Sequence, residues 1–154
     1  MQSMAFEVPA SIKAEHQELH AALARATRYP GKVGEAARGL AATLNPHFAR
    51  EEQLALRPLG LLRAFAQGQF PPGIEHVLPM TDSLRQELPR MLQEHEAIAA
   101  AARRLAQVAR AARAGDVARF TEALLTHARM EEEVLYPAAI LVGELIRAQE
   151  KVTA

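Results

Sequence analysis

A chain of 154 residues with no formal net charge and no cysteine is long enough to bury a real core as one domain, 1–154. Neutral balance removes any general electrostatic drive toward nucleic acid. The absence of Cys removes disulfides, thiolate catalysis, Cys-ligated zinc and iron–sulfur clusters.

The composition, rich in Ala, Leu, Glu and Arg and without Trp, favours helix over strand. The N-terminal stretch MQSMAFEVPA has neither a basic n-region nor an apolar h-region. The longest apolar runs, Ala97–Ala102 and Tyr136–Gly143, are too short to span a bilayer. The expectation is a soluble cytoplasmic protein with neither membrane nor nucleic acid as partner. Its oligomeric state stays open.

Pro9 followed by Ser11 marks a first helix start, and Ile12, Leu19 and Leu23 recur at helical spacing. Pro30-Gly31 breaks the chain. A second helix is predicted from about Val33 to about Ala66, with kinks at Pro46 and Pro58. Gly68–Asp82, with three prolines and two glycines, reads as a long irregular crossover. A third helix is expected from Thr81–Asp82 through a bend at Pro89 to Ala114. Gly115 would end it and Asp116 would cap the fourth helix. That helix meets Pro137 and resumes through Leu145. The arginines 103, 104, 110 and 113 read as a solvated face. No alternating strand pattern occurs. The predicted fold is all-α, an up-down-up-down antiparallel four-helix bundle.

Two of these helices carry His-x-x-x-Glu, at His47/Glu51 and at His127/Glu131, and each follows a Glu-His dipeptide, Glu15-His16 and Glu94-His95. The chain is thus a twofold repeat of a His on one helix and His-x-x-x-Glu on the next. Residues four apart share a helix face, so each His/Glu pair can reach one interior point. His16 and His95 lie on apolar stripes with Leu19 and Ile98. One inward His is ordinarily a satisfied core residue. Four of them with two carboxylates would be a severe desolvation burden without a compensating cation. His16, His47, Glu51, His95, His127 and Glu131 are therefore the candidate ligands of two metal ions. No phosphate-binding, dinucleotide or serine-nucleophile motif is present, and no His has the Glu three residues before it that ferritin-type sites need.

The segments AEHQELHAAL, HFAREEQLALRP, QEHEAIAAAA and HARMEEEVLYP resemble the doubled pattern of the hemerythrin superfamily, specifically the HHE cation-binding domains. The resemblance spans about Ile12 to Leu145. It implies a bundle holding a non-haem di-iron centre of two iron ions, oxo- or hydroxo-bridged, with Glu51 and Glu131 bridging. His16 and His47 would serve one iron, and His95 and His127 the other. Oxygen carriers of the family have a fifth His one turn before the shared one, where this chain has Ile12 and Met91. His20 instead follows His16 by one turn, as a candidate fifth ligand or a residue lining the approach. The Cys-bearing N-terminal module of the iron–sulfur repair relatives is missing from the sequence.

The implied function is binding or sensing of a small ligand such as O2, NO or peroxide, or of iron and redox state. The alternatives are a di-iron oxidoreductase of peroxidase or oxidase type, using Tyr136 or an open iron position, and a bundle structured by zinc or manganese. Tyr136 itself reads as a packing residue.

Overall fold

A computed structural model describes residues 6–153; Met1–Ala5 of the stretch examined for a leader, and Ala154, lie outside it. The helices are α1 (Ala10–Thr27), α2 (Gly31–Leu54), the short α3 (Leu62–Ala66), α4 (Leu78–Ala111), α5 (Gly115–Met130) and α6 (Tyr136–Thr153). No strand occurs among the described residues. The fold is all-α, and α1, α2, α4 and α5–α6 are the four long members of the bundle.

Cross-helix contacts set the directions. Arg38 of α2 bonds the carbonyl of Thr27 at the end of α1, while His16 near the start of α1 meets Phe48. His47 of α2 reaches Glu94 of α4, and His95 of α4 reaches Glu132 just after α5. Tyr29, just past α1, donates to Asp116 at the start of α5, while His127 at its other end reaches Glu15. Early residues of α1 meet late residues of both α2 and α5, and its end meets their early ones, as an antiparallel bundle requires.

Several helix ends differ from the expected ones, for identifiable reasons. α2 stops at Leu54, and Arg57–Leu61 forms a 3₁₀ turn before α3. Pro58 has no N–H for the carbonyl of Leu54, so the helix closes one turn ahead of it. Pro46 and Pro89 are carried inside α2 and α4. The third long helix begins at Leu78, earlier than expected, because Pro79 falls in its first turn, where no N–H partner is needed. The crossover is correspondingly shorter: Gly68 and Gly73 turn it with φ of 74° and 84°, and Ile74–Val77 form a 3₁₀ turn.

The turn after α4 is made by Arg113, at φ 58°, and not by Gly115. Asp116 provides no cap; its carboxylate is taken by the Tyr29 hydroxyl at 2.6 Å. In the fourth member, Glu131–Leu135 forms a π-helical turn between α5 and α6. Pro137 cannot supply the N–H that the carbonyl of Glu133 would accept in a regular helix, so the turn widens.

Three apolar clusters stack along the bundle. The first runs from Leu19 and Leu40 to Ile98 and Phe120. The second contains Leu56, Leu84, Met91, Leu135 and Tyr136, and the third Leu61, Val77, Val142 and Ile146. In the last region α6 lies so close to α4 that a Cβ on Gly143 would stand 2.3 Å from Thr81 Oγ1. Between the first two clusters is a polar layer. Its position is where the two sequence halves repeat.

Candidate metal centre

All six residues singled out from the repeat are buried, with relative exposures of 0–4%: His16, His47, Glu51, His95, His127 and Glu131. They converge in two groups. One contains His16, His127, Glu51 and Glu131; the other contains His47, His95, Glu51 and Glu131. This corrects the pairing that the resemblance implied. α1 and α4 each pack beside both α2 and α5, and the side chains converge so that each group takes one imidazole from each half. The ring centroids are 5.0 Å apart for His16/His127 and 4.7 Å for His47/His95.

Each carboxylate divides its oxygens between the groups. Glu51 Oε1 is 3.2 Å from His16 Nε2, and its Oε2 is 3.3 Å from His47 Nε2. Glu131 Oε2 is 2.7 Å from His127 Nε2, and its Oε1 is 3.2 Å from His95 Nε2. Each carboxylate thus faces both groups at once.

The outer ring nitrogens are held by four further glutamates. His47 Nδ1 donates to Glu94 at 2.8 Å, His95 Nδ1 to Glu132 at 2.8 Å, and His127 Nδ1 to Glu15 at 2.7 Å. His16 Nδ1 lies 3.4 Å from Glu52. An ionised carboxylate only accepts, so Nδ1 keeps a proton and Nε2 is the nitrogen whose lone pair a cation would take. Such partners orient imidazoles in metal sites and raise their basicity. Glu15 and Glu94 are the first members of the Glu-His doublets, and Glu52 and Glu132 the second members of the Glu-Glu doublets. A neighbour on a helix points about 100° away, which aims it at the adjacent helix's His and not into the shared centre.

The donor set lacks enough partners of its own. His16 Nε2, His127 Nε2, Glu51 Oε1 and Glu131 Oε2 are buried without a hydrogen bond. The 2.7 Å approach of His127 to Glu131 is close but not directed as one. His47 Nε2 and His95 Nε2 face each other at 3.0 Å. Orphaned buried polar atoms are costly and rare, and all four belong to the His16/His127 group. Cations among these nitrogens and oxygens would satisfy them, and a set without sulfur suits iron, zinc or manganese.

Electrostatics agree with this fit. Burial opposes charge on His16, but the carboxylates of Glu131 and Glu51 outweigh it and push its pKa up to about 10. Burial likewise opposes charge on His47, His95 and His127, and the carboxylates beside each raise them all the same. Burial would raise Glu131, yet its close neighbours, Glu51 and the imidazoles of His127, His16 and His95, hold it well below the ordinary carboxylate range. Protons therefore occupy the cluster when cations do not. The histidine contribution to stability is fully present below pH about 6.5 and is lost as pH rises through the raised values; that of Glu131 is lost as pH falls through its depressed one. Cation binding must displace those protons. Metal affinity should rise by about tenfold per pH unit for each proton released between pH 6 and 8. Calorimetry in buffers of differing ionisation enthalpy counts those protons, and a pH-independent affinity would contradict this picture.

Two other residues bear on the centre. Tyr136 is fully buried and its ring packs in the second apolar cluster, as expected of a packing residue. Its hydroxyl, however, enters the centre. It donates to Glu51 and lies 3.2 Å from His95 Nε2 and 3.3 Å from both His47 Nε2 and Glu131. Burial and the two carboxylates push this phenol's pKa far upward, so it is neutral here. His20 stands outside the two buried groups, although with His16 and Glu52 it forms a third, partly exposed group of potential ligand atoms within 4.8 Å of one another. It is half-exposed, stacks on Phe48 at 4.5 Å and faces Glu52 at 3.7 Å. His20→Ala should leave metal content and the visible spectrum unchanged; loss of a metal equivalent would make it a ligand. His76 is exposed in the crossover. A pocket of about 320 Å³, lined by Val8, Lys13, His16, Glu52, Leu56 and Arg57 among others, opens beside His16.

Fold and site together define a class: a four-helix bundle with a cation-sized cluster of buried nitrogen and oxygen donors at its middle. The family model described as Hemerythrin HHE cation binding domain matches residues 8–139. The chain belongs to that family. No curated protein and no solved structure matches it. Among the described residues, no helix is long and apolar enough to cross a membrane.

Proposed function

We propose that the chain holds a non-haem di-iron centre and uses it to bind or sense a small ligand such as O2, NO or peroxide. His16 and His127 would hold one ion and His47 and His95 the other, with Glu51 and Glu131 shared. The observation that carries this reading is the division of each buried carboxylate's two oxygens between the two imidazole pairs. Iron is favoured over zinc because shared carboxylates and imidazoles without thiolate suit an ion that takes up to six nitrogen and oxygen donors.

The chain's own residues do three things for such a centre. Glu15, Glu52, Glu94 and Glu132 fix the imidazoles with their lone pairs inward. The apolar clusters on either side exclude bulk water, which strengthens every interaction inside. The pocket beside His16 gives a small molecule an approach to the His16/His127 position. When bound, the iron pair supplies reversible electron transfer and open coordination positions.

The test is metal analysis of the purified chain with an aerobic absorption spectrum, followed by reduction and exposure to O2, NO or peroxide. Two irons per chain with an oxo-bridge absorption and a spectral response to one of these ligands are expected. Two zinc ions with no visible absorption would replace this reading with a structural one.

A further inference from the structure

The two metal positions are not equivalent, and the difference lies in one side chain per half. Tyr136 follows Glu131 by five residues, and Leu56 follows Glu51 by five. In a regular α-helix five residues turn a side chain by about 500°, roughly 140° away from its starting direction. In both halves the turn is widened. The N–H of Leu56 reaches the carbonyl of Glu51, at 3.2 Å, and that of Tyr136 reaches the carbonyl of Glu131, both i to i+5 bonds. Such a turn brings residue i+5 back over residue i. Tyr136 is thereby aimed at the His47/His95 group. Its counterpart Leu56 lines the pocket beside His16.

The Tyr136 oxygen fits that group as a donor. It lies 3.3 Å from His47 Nε2, 3.2 Å from His95 Nε2 and 3.3 Å from Glu131 Oε1, and contacts Glu51 Oε2. The other separations are 3.0 Å for His47 Nε2–His95 Nε2, 3.3 Å for His47 Nε2–Glu51 Oε2 and 3.2 Å for His95 Nε2–Glu131 Oε1. Ligands about 2.1 Å from one ion and at right angles to each other are separated by about 3.0 Å. Five oxygens and nitrogens at such spacings outline most of a coordination shell. At His16/His127 the corresponding donors number four, and all are unpartnered.

Resting on the proposed metal centre, we infer that Tyr136 is a phenolate ligand of the ion at His47/His95, which closes that position and leaves the one at His16/His127 to take the external ligand. On loading, the Tyr136 O–H bond breaks, the proton passes to solvent, and the oxygen lone pair binds the cation. No electron is transferred in this step. Leu56 offers no donor, so nothing from the chain competes with an entering molecule beside His16.

Two measurements test this. Titrating the metal-free chain with Zn(II), which has no absorption of its own, should produce the near-ultraviolet difference band of a tyrosinate. Tyr29→Phe should leave that band in place and Tyr136→Phe should abolish it. Loading with Fe(II) and oxidising in air should give a visible phenolate-to-iron band, whose resonance Raman modes shift when the wild-type chain carries ring-deuterated tyrosine. The second measurement needs no substitution. Two metals bound with no tyrosinate signal in either would overturn the inference while leaving the metal centre intact. Failure of the chain to bind two metals would instead overturn the centre itself.

Discussion

Glu131→Ala should leave both metal positions empty and should be the most destabilising single change in the centre. One oxygen of Glu131 faces the His16/His127 group and the other faces His95, so its loss removes a donor from each at once. Without metal the same carboxylate is the partner of three imidazoles and of the Tyr136 hydroxyl. Removing one member of a buried charged network costs about 3–5 kcal/mol. The repeat in the sequence predicts equal effects for Glu51→Ala. The geometry gives Glu51 the Tyr136 hydroxyl and two imidazoles, His16 and His47, one imidazole fewer than Glu131, so its removal should be the milder of the two. His127→Ala takes a donor from one group only and should lose one metal of two. Metal analysis and urea denaturation of the three variants test this ranking. Full metal content in Glu131→Ala would remove that residue from the centre.

Stripping the metal from the unaltered chain should lower its thermal midpoint by about 10 °C per position. A ligand present at a thousandfold excess over its dissociation constant contributes about 4 kcal/mol through its preference for the native state. For a domain of this size each kcal/mol moves the midpoint by about 2–4 °C. The polar layer is the reason to expect so large a share. Without cations it leaves four buried donor and acceptor atoms unpartnered and sets two imidazole nitrogens 3.0 Å apart. Scanning calorimetry before and after chelation, with re-addition of Fe(II) under nitrogen, measures this. Identical midpoints with and without metal would mean that the cluster is stabilised by protons alone.

The six central residues were legible because His-x-x-x-Glu is a helix-face spacing and because the chain states it twice. Bundle and direction followed from the same repeat with its Pro and Gly breakers. How the imidazoles pair was not legible. The three possible pairings all obey the internal twofold, and α1 and α4 each pack against both α2 and α5, so only the convergence of the side chains selects His16 with His127. Tyr136 reads as a packing residue, and in a regular helix five residues from Glu131 would indeed point it away from that carboxylate. Only the widened turn brings it inward, and its cue in the sequence is Pro137. The four outer glutamates were visible as Glu-His and Glu-Glu doublets, but each serves a His on another helix. The end of α2 at Leu54 shows the limit of periodicity against proline: the apolar pattern continues past Pro58 while the backbone hydrogen bonds do not.

The most direct test is anomalous diffraction from crystals of the chain grown with Fe(II) and then oxidised, recorded at the iron edge. Two peaks per chain are predicted, one within bonding distance of His16 Nε2 and His127 Nε2 and the other of His47 Nε2 and His95 Nε2, with Glu51 and Glu131 reaching both. A single peak, or ordered side chains around an iron-free centre, would contradict the proposed di-iron site.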